Sequence, residues 1–240
     1  MTRKVRATAE RFPELGALRH VETAPPSPVA LTVTAAVVVV FALVIVLGSG
    51  DVVDAAIVVP FWVAIAALIL WYMGSEKLLV MDRGIIMGSH APFLRPFVIP
   101  FVGFEASSVT ACRPVWKLAA MLGRRTRLRG GRNTAWTWNG VAFVSLQGSV
   151  ARRPVVDRTG ILRPDAAARL PRGVFWFGTW RETGALLRAL EAALVAYGAP
   201  EATGMAERAL PQVSISGSPA DAPQQVPRLL AALDRTASGA

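Results

Sequence analysis

Cysteine, histidine and lysine are all scarce in this 240-residue chain, which has one cysteine, two histidines and three lysines. The single cysteine, Cys112, excludes an intramolecular disulfide, and with it a disulfide-stapled secreted scaffold. The cysteine and histidines are also too few for the four ligands of a typical structural zinc site. Charged residues make up 18% of the chain, against about 25% in an average soluble domain. This composition, with a mean hydropathy of +0.43, argues against an ordinary soluble enzyme and indicates a membrane protein.

Two long apolar runs account for the excess of hydrophobic residues. Residues 29–48 contain no charged side chain, and residues 52–72 contain one, Asp54. At about 1.5 Å per residue, a helix of this length spans the ~30 Å hydrocarbon core of a bilayer. The short sequence Gly-Ser-Gly-Asp lies between the runs and suits a turn. We therefore predict two transmembrane helices, 29–48 and 52–72, that form an antiparallel hairpin within residues 29–73.

A cleaved signal peptide and a pair of buried core helices are the two alternatives to this hairpin. The first run is longer than the apolar segment of a signal peptide, and neither run has a polar face. Both alternatives are therefore disfavoured.

The basic residues that flank the two runs predict the orientation of the hairpin. They are Arg3, Lys4, Arg6, Arg11 and Arg19 before the first run, and Lys77, Arg83 and Arg95 after the second. The turn between the runs has no basic residue, so the positive-inside rule places both termini in the cytoplasm. The prediction is a multi-pass protein of the plasma (inner) membrane, with residues 1–28 as a cytoplasmic N-terminal segment.

After residue 75 the pattern changes to short apolar or alternating segments, which are typical of strands. The predicted strands are 77–81, 85–87, 97–104, 107–113 and 174–180, with a tight turn at 82–84. Asn139-Gly140 predicts a β-hairpin within residues 134–146. Residues 181–197 have the spacing of an amphipathic helix, which Gly198 and Pro200 should end. Residues 200–240, rich in Ala, Pro, Ser and Gln, are predicted to be a disordered tail.

Three of these segments resemble the bacterial pleckstrin-homology-like (PH-like) domains that follow paired transmembrane spans. They are KLLVMDRGIIMGS (77–89), FVIPFVGFEASSVTACR (97–113) and VFWFGTWRETGALLRALEAAL (174–194). The resemblance implies an α+β or mostly-β cytoplasmic domain over residues 76–199. Its expected form is an antiparallel barrel or curved sheet with a C-terminal capping helix. It also implies a binding surface, without naming a ligand.

The net charge of +10 is concentrated in the same region, because residues 76–199 alone carry a net charge of +11. Residues 106–156 contain no acidic side chain. The candidate lipid- or partner-binding residues are Arg124, Arg125, Arg127, Arg129, Arg132, Arg152 and Arg153. Arginine can hold phosphate through two N–H groups, and each basic residue near an anionic leaflet contributes about 1 kcal/mol of attraction. Residues 123–132 are predicted to form a basic loop, which we call the arginine loop. Met121 and Leu122 beside the arginine loop could enter the membrane interface. The alternative is a solvated loop that only fixes the topology.

Motifs for catalysis are missing from the sequence. It has no phosphate-binding loop, no G-x-S-x-G and no H-E-x-x-H, and a Cys112–His90 pair would have no third partner. We therefore expect a non-enzymatic binding or scaffolding module that needs no metal or cofactor. The alternatives are a membrane-anchored enzyme of unrecognised class and an oligomeric transport accessory subunit.

The expected partners are the bilayer itself, anionic lipid headgroups, and another membrane protein or a second copy of the chain. Trp116, Trp136 and Trp138 lie among the arginines and could stack on nucleic-acid bases. Nucleic acid is nevertheless disfavoured as a partner, because the domain is predicted to be tethered to a membrane and no recognised nucleic-acid motif is present.

Overall fold

The computed structural model describes residues 3–24, 27–49, 52–89, 96–122, 137–146, 172–179 and 181–237. The strands in these residues are β1 (Leu18–Thr23), β2 (Glu76–Met81), β3 (Gly84–Ser89), β4 (Phe97–Pro100), β5 (Glu105–Arg113), β6 (Asn139–Leu146), β7 (Arg172–Thr179) and β8 (Val213–Ser214). The helices are α1 (Arg3–Ala9), α2 (Pro28–Ser49), α3 (Val52–Gly74), α4 (Leu118–Leu122), α5 (Gly184–Tyr197), α6 (Met205–Ala209), α7 (Ala222–Gln225) and α8 (Pro227–Ala237).

Two long apolar helices follow β1. The segment Pro28–Gly48 of α2 is long and apolar enough to cross a membrane, and only 6% of its most apolar stretch is buried. Its first turn is capped, because the N–H of Ala30 donates to the hydroxyl of Ser27 at 3.1 Å. Helix α3 contains the shorter described apolar segment Val58–Tyr72. The two helices contact each other, with 5.3 Å between the ring centroids of Phe41 and Trp62.

The first sheet has the order β1-β2-β3-β4, and all of its strand pairs are antiparallel. The predicted strands at 77–81 and 85–87 and the tight turn between them are confirmed. Strand β1 pairs with β2, and Thr23 lies opposite Lys77. The N-terminal segment is therefore part of the domain's sheet, and α2 and α3 are inserted between two neighbouring strands.

The second sheet has the order β7-β6-β5-β8, with only β8 running parallel to its neighbour. The predicted hairpin at Asn139-Gly140 is wrong. Both residues lie within β6, where Asn139 is opposite Thr179 and Gly140 is opposite Gly178. A side chain at Gly140 would meet Val115 at 2.5 Å, so the glycine permits close packing and does not make a turn.

The two sheets face each other across the main core of the domain, which α5 and α6 complete. Its centre is aromatic: the ring of Phe143 lies 4.8 Å from that of Phe104 and 5.9 Å from that of Phe175. Helix α5 confirms the predicted amphipathic helix, and Gly198 ends it at a φ of 102°. Of the two expected forms, the closed barrel is wrong for the described strands, which form two separate sheets.

Each sheet is also covered on its outer face. The N-terminal residues Val5 and Leu15 pack on the outer face of the first sheet. Helices α4, α7 and α8 pack on the outer face of the second sheet, burying Val226 and Leu229. A strand that is buried on both faces has a continuous apolar sequence. This explains why several of these strands show no clear alternation of polar and apolar residues.

The prediction of a disordered tail is wrong for residues 200–237, which contain α6, β8, α7 and α8. The N–H groups of Gly204 and Ala206 donate to the carboxylate of Glu191 at 2.8 and 2.7 Å, which ties this segment to α5. The composition was misleading because alanines provide much of the buried surface, including Ala222 and Ala232.

Candidate functional site

The seven arginines proposed from the sequence as lipid- or partner-binding residues all lie outside the described residues. They are Arg124, Arg125, Arg127, Arg129, Arg132, Arg152 and Arg153. The same holds for His90 and Trp136. The expectation that Met121 and Leu122 enter the membrane interface is wrong. Both side chains are buried in the core beneath α7 and α8, because α4 packs against the outer face of the second sheet.

Cys112 is confirmed as a core residue, since its side chain is fully buried in β5. Burial in apolar surroundings raises the pKa of its thiol to about 12. A thiol with this pKa is almost entirely protonated at neutral pH and is a poor nucleophile. Among the described residues, no group of three or more His, Cys, Asp and Glu side chains is placed to hold a metal ion.

Two exposed tryptophans lie close to the end of β5, each beside a cation. The guanidinium of Arg113 is 5.5 Å from the ring centre of Trp138, and the ammonium of Lys117 is 5.5 Å from that of Trp116. Trp138 precedes β6, and its carbonyl accepts a hydrogen bond from Val115 at 3.1 Å. Cation–π contacts at exposed sites contribute about 0.5–1 kcal/mol each, so they order these side chains without burying them.

An arginine-lined cavity lies where the C-terminal helices pack against the start of β5. Its volume is about 290 Å³, and its lining residues are Ser107, Arg208, Arg228, Ala231 and Arg235. A second cavity of about 270 Å³ adjoins it and shares Arg208 and Arg228. The second cavity is also lined by Thr110, Ala209, Pro211, Val213, Gln224, Gln225, Val226 and Pro227. We call the two cavities together the arginine pocket.

Backbone carbonyl groups hold two of the three guanidinium groups in place. Arg208 donates from Nη1 to the carbonyl of Thr203 at 2.8 Å and from Nη2 to that of Glu201 at 3.2 Å. Arg228 donates from Nη1 to the carbonyl of Arg208 at 2.8 Å. A neutral carbonyl fixes the position of a guanidinium without cancelling its charge, so the positive potential of both arginines remains.

The third guanidinium, that of Arg235, belongs to a network at the edge of the pocket. It donates to the hydroxyl of Ser107 at 2.9 Å and lies 3.2 Å from the carboxylate of Glu105. The same carboxylate accepts from Arg172 at 2.9 Å and from Ser107 at 2.6 Å. One carboxylate is therefore shared by two arginines, and the side chain of Arg235 remains 59% exposed.

Among the described residues that line the pocket, none is acidic. The pocket is lined by three arginines, two hydroxyl side chains and two amide side chains. This set can bind an oxyanion, because arginine offers N–H groups with the spacing of carboxylate or phosphate oxygens.

Sequence reasoning missed this site because residues 200–240 contain only three basic residues and carry a net charge of −1. The signal that could have found it is the apolar i, i+3 spacing of Val226, Leu229 and Ala232. This spacing predicts a packed α8 that would place Arg228 and Arg235 on its other faces. Comparison of the chain with protein-family models, with curated protein sequences and with solved structures finds no match.

Proposed function

We propose that this chain is a two-span, membrane-anchored, non-enzymatic binding module that presents a basic PH-like domain at the cytoplasmic face of the plasma membrane. The observation that carries the proposal is the pairing of the strands on either side of α2 and α3. Thr23 lies opposite Lys77, and the N–H of Ala24 donates to the carbonyl of Glu76 at 3.2 Å. The chain thus leaves the sheet and returns to it at one point, as a two-span hairpin requires.

The exposure of the two helices supports their place in a bilayer. Large apolar side chains point outward along both, including Leu47 at 82% and Phe61 at 62% exposure. Contiguous apolar surface of this extent is rare on soluble monomers and typical of surfaces that meet lipid or another protein. The proposal that the second helix also spans is supported by its length of 23 residues, Val52–Gly74, although its described apolar segment, Val58–Tyr72, is shorter than that of α2. Transmembrane helices tolerate a proline such as Pro60.

The PH-like part of the proposal is supported by the order of the elements. Antiparallel strands are followed by the amphipathic α5, which packs on the core between the two sheets. The lipid-binding role of the arginine loop stays a prediction, because Arg124, Arg125, Arg127 and Arg129 lie outside the described residues. The proposed partners are anionic lipid headgroups, another membrane protein or a second copy of this chain.

Cysteine labelling in intact cells tests the topology. The native Cys112 is buried and poorly reactive, so it gives a low background with a membrane-impermeant maleimide. The variant Ser49→Cys places a thiol at the last residue of α2, next to the predicted turn between the two helices. The variant Ala185→Cys places one on the exposed face of α5. We expect Ser49→Cys to react in intact cells and Ala185→Cys to react only after lysis.

Two results would contradict this topology. Protection of Ser49→Cys until lysis would show that the hairpin does not cross the membrane. Reaction of Ala185→Cys in intact cells would place the domain on the outer face. The unsubstituted chain, with Cys112 alone, is the matched control for both variants.

A further inference from the structure

We infer that the arginine pocket is a binding site for the phosphate group of a small phosphate ester. This inference rests on the proposed function, since it names a ligand class for the binding module. It uses residues different from the arginine loop identified in the sequence, because Arg208, Arg228 and Arg235 all come from the C-terminal segment.

The charge of the pocket is the first reason. Three arginines line one cavity. Of these, Arg235 has a described ion pair, with Glu105, and it shares that carboxylate with Arg172. The other two arginines, Arg208 and Arg228, make their hydrogen bonds to neutral carbonyl groups. Like charges brought together in this way repel one another, and a bound anion of charge near −2 would relieve the repulsion.

The arrangement of the donors is the second reason. A guanidinium has five N–H donors, and the hydrogen bonds described above use two of them in Arg208 and one in Arg228. These bonds fix both side chains before a ligand arrives, so little side-chain freedom is lost on binding. Arg235 can supply the third guanidinium. If it released Glu105 to bind a phosphate oxygen, the carboxylate of Glu105 would still be paired with Arg172.

The size and lining of the pocket favour an ester over a free phosphate ion. A cavity of about 290 Å³ adjoins one of about 270 Å³, and the two share Arg208 and Arg228. The second cavity adds the hydroxyl of Thr110 and the amides of Gln224 and Gln225. These groups suit an organic portion that carries hydroxyls, attached to a phosphate that lies between the arginines.

The phosphate could come from a soluble metabolite or from a phospholipid headgroup, and one experiment separates the two. The full chain is reconstituted in nanodiscs of phosphatidylcholine and titrated calorimetrically with glycerol 3-phosphate, with glycerol as the uncharged control. The titration is repeated in nanodiscs in which a fifth of the lipid is phosphatidylglycerol. A tenfold weaker apparent affinity in the second set assigns the pocket to a lipid headgroup, and an unchanged affinity assigns it to a soluble ester.

The variants test whether the pocket itself binds the phosphate. Arg228→Gln/Arg235→Gln removes two pocket charges, and Arg6→Gln/Arg11→Gln removes two exposed charges from the N-terminal segment over the other sheet. We expect saturable binding of glycerol 3-phosphate to weaken at least tenfold in the first variant and less than twofold in the second. Arg208 is left unchanged, because it also holds the carbonyls of Glu201 and Thr203 in place.

Three results would overturn the inference. The first is that glycerol 3-phosphate shows no saturable binding to the unsubstituted chain in phosphatidylcholine nanodiscs. The second is that the pocket variant binds it with undiminished affinity. The third is that both variants lose affinity equally, which would mean that binding follows net charge alone. A thermal unfolding midpoint close to that of the unsubstituted chain shows that the pocket variant is folded. If the variant is not folded, Arg235→Gln alone replaces it, because the side chain of Arg235 is 59% exposed. Failure of the proposed anchoring would be seen separately, in the labelling of Ser49→Cys.

Discussion

The substitution Gly140→Ala tests the packing of the second sheet, because a side chain added at this position in β6 would collide with its neighbours. A Cβ atom at this position would lie 2.5 Å from Cγ2 of Val115 and 2.8 Å from the carbonyl oxygen of Phe177. Real Cβ atoms essentially never come within 3.0 Å of another heavy atom. One of these neighbours is a backbone atom of the adjacent strand, so it cannot turn away.

Val115 cannot yield easily either. Its side chain is fully buried, and its N–H donates to the carbonyl of Trp138 at 3.1 Å. Overpacking of a well-packed core costs about 1–3 kcal/mol. Replacing glycine by alanine also restricts the unfolded chain, which offsets about 0.4–1 kcal/mol of this cost. We therefore expect a net loss of about 1–2 kcal/mol, which lowers the unfolding midpoint by roughly 2–8 °C in a protein of this size.

Thermal unfolding of the full chain in detergent, followed by tryptophan fluorescence, measures the effect. Gly48→Ala is the matched control, because a Cβ at Gly48 would meet nothing within 4 Å. A double-mutant cycle with Val115→Ala then separates a packing clash from a turn. If Gly140 were in a hairpin turn, its substitution would also be costly but would not couple to Val115, whereas the clash predicts a coupling of about 1 kcal/mol or more. Additive effects of the two substitutions would refute the reasoning.

Three further predictions concern the rest of the domain. Asp82→Asn should lower stability by about 1 kcal/mol at pH 7. The N–H of Ala17 and the side chain of Arg19 both donate to the carboxylate of Asp82, which holds its pKa below the ordinary value of 3.8. The stabilisation is therefore fully present above pH 3.8 and is lost as the pH falls through the lowered pKa. Thermal unfolding of both proteins at pH 2 and pH 7 measures the effect, and a difference in unfolding midpoint that is the same at both pH values would contradict this prediction. Cys112 should react with a thiol reagent at pH 8 at least a hundredfold more slowly in the native chain than in denaturant, because burial raises its pKa to about 12; rapid native labelling would show that β5 is accessible. Replacement of residues 25–75 by Asn-Gly should give a folded domain that stays in solution without detergent, because Ala24 and Glu76 already form the hydrogen-bonded pair that closes a two-residue turn. Aggregation of that chain would show that the helices are needed for the domain to fold.

The parts of the fold that the sequence predicts are those set by local chemistry. The turn at Asp82-Arg83 connects adjacent strands, and α5 has a clear apolar face with a glycine at its end. The pairing of β1 with β2 could not be predicted in the same way. It joins Thr23 to Lys77 across the two apolar helices, and no local pattern marks strands that are partners over such a distance.

Gly140 and the C-terminal segment show two different reasons why patterns fail. Asn-Gly is a strong turn signal only when the flanking chain is free to reverse, and here close packing against Val115 requires the glycine within a strand. The C-terminal helices are short and rich in alanine, so their stability comes from packing on the second sheet and little of it from local preference. The arginine pocket depends on that packing, because it brings Arg208 in α6 and Arg228 in α8 together although they are 20 residues apart in the sequence.

If α2 and α3 cross a membrane as proposed, their insertion between paired strands also restricts how the domain can sit on that membrane. Only Ser75 separates α3 from β2, and three residues separate Ala24 from the first residue of α2. At about 3.5 Å per extended residue, neither connection exceeds roughly 14 Å, and both start from adjacent positions in one sheet. Two short connections at one point allow much less rotation than a single flexible linker. The arginine pocket of a given molecule must therefore either face its own bilayer persistently or be turned away from it. For this reason the phosphatidylglycerol titration should give one of two clear results, strong competition or none, and partial competition would mean that the domain moves freely about its anchor.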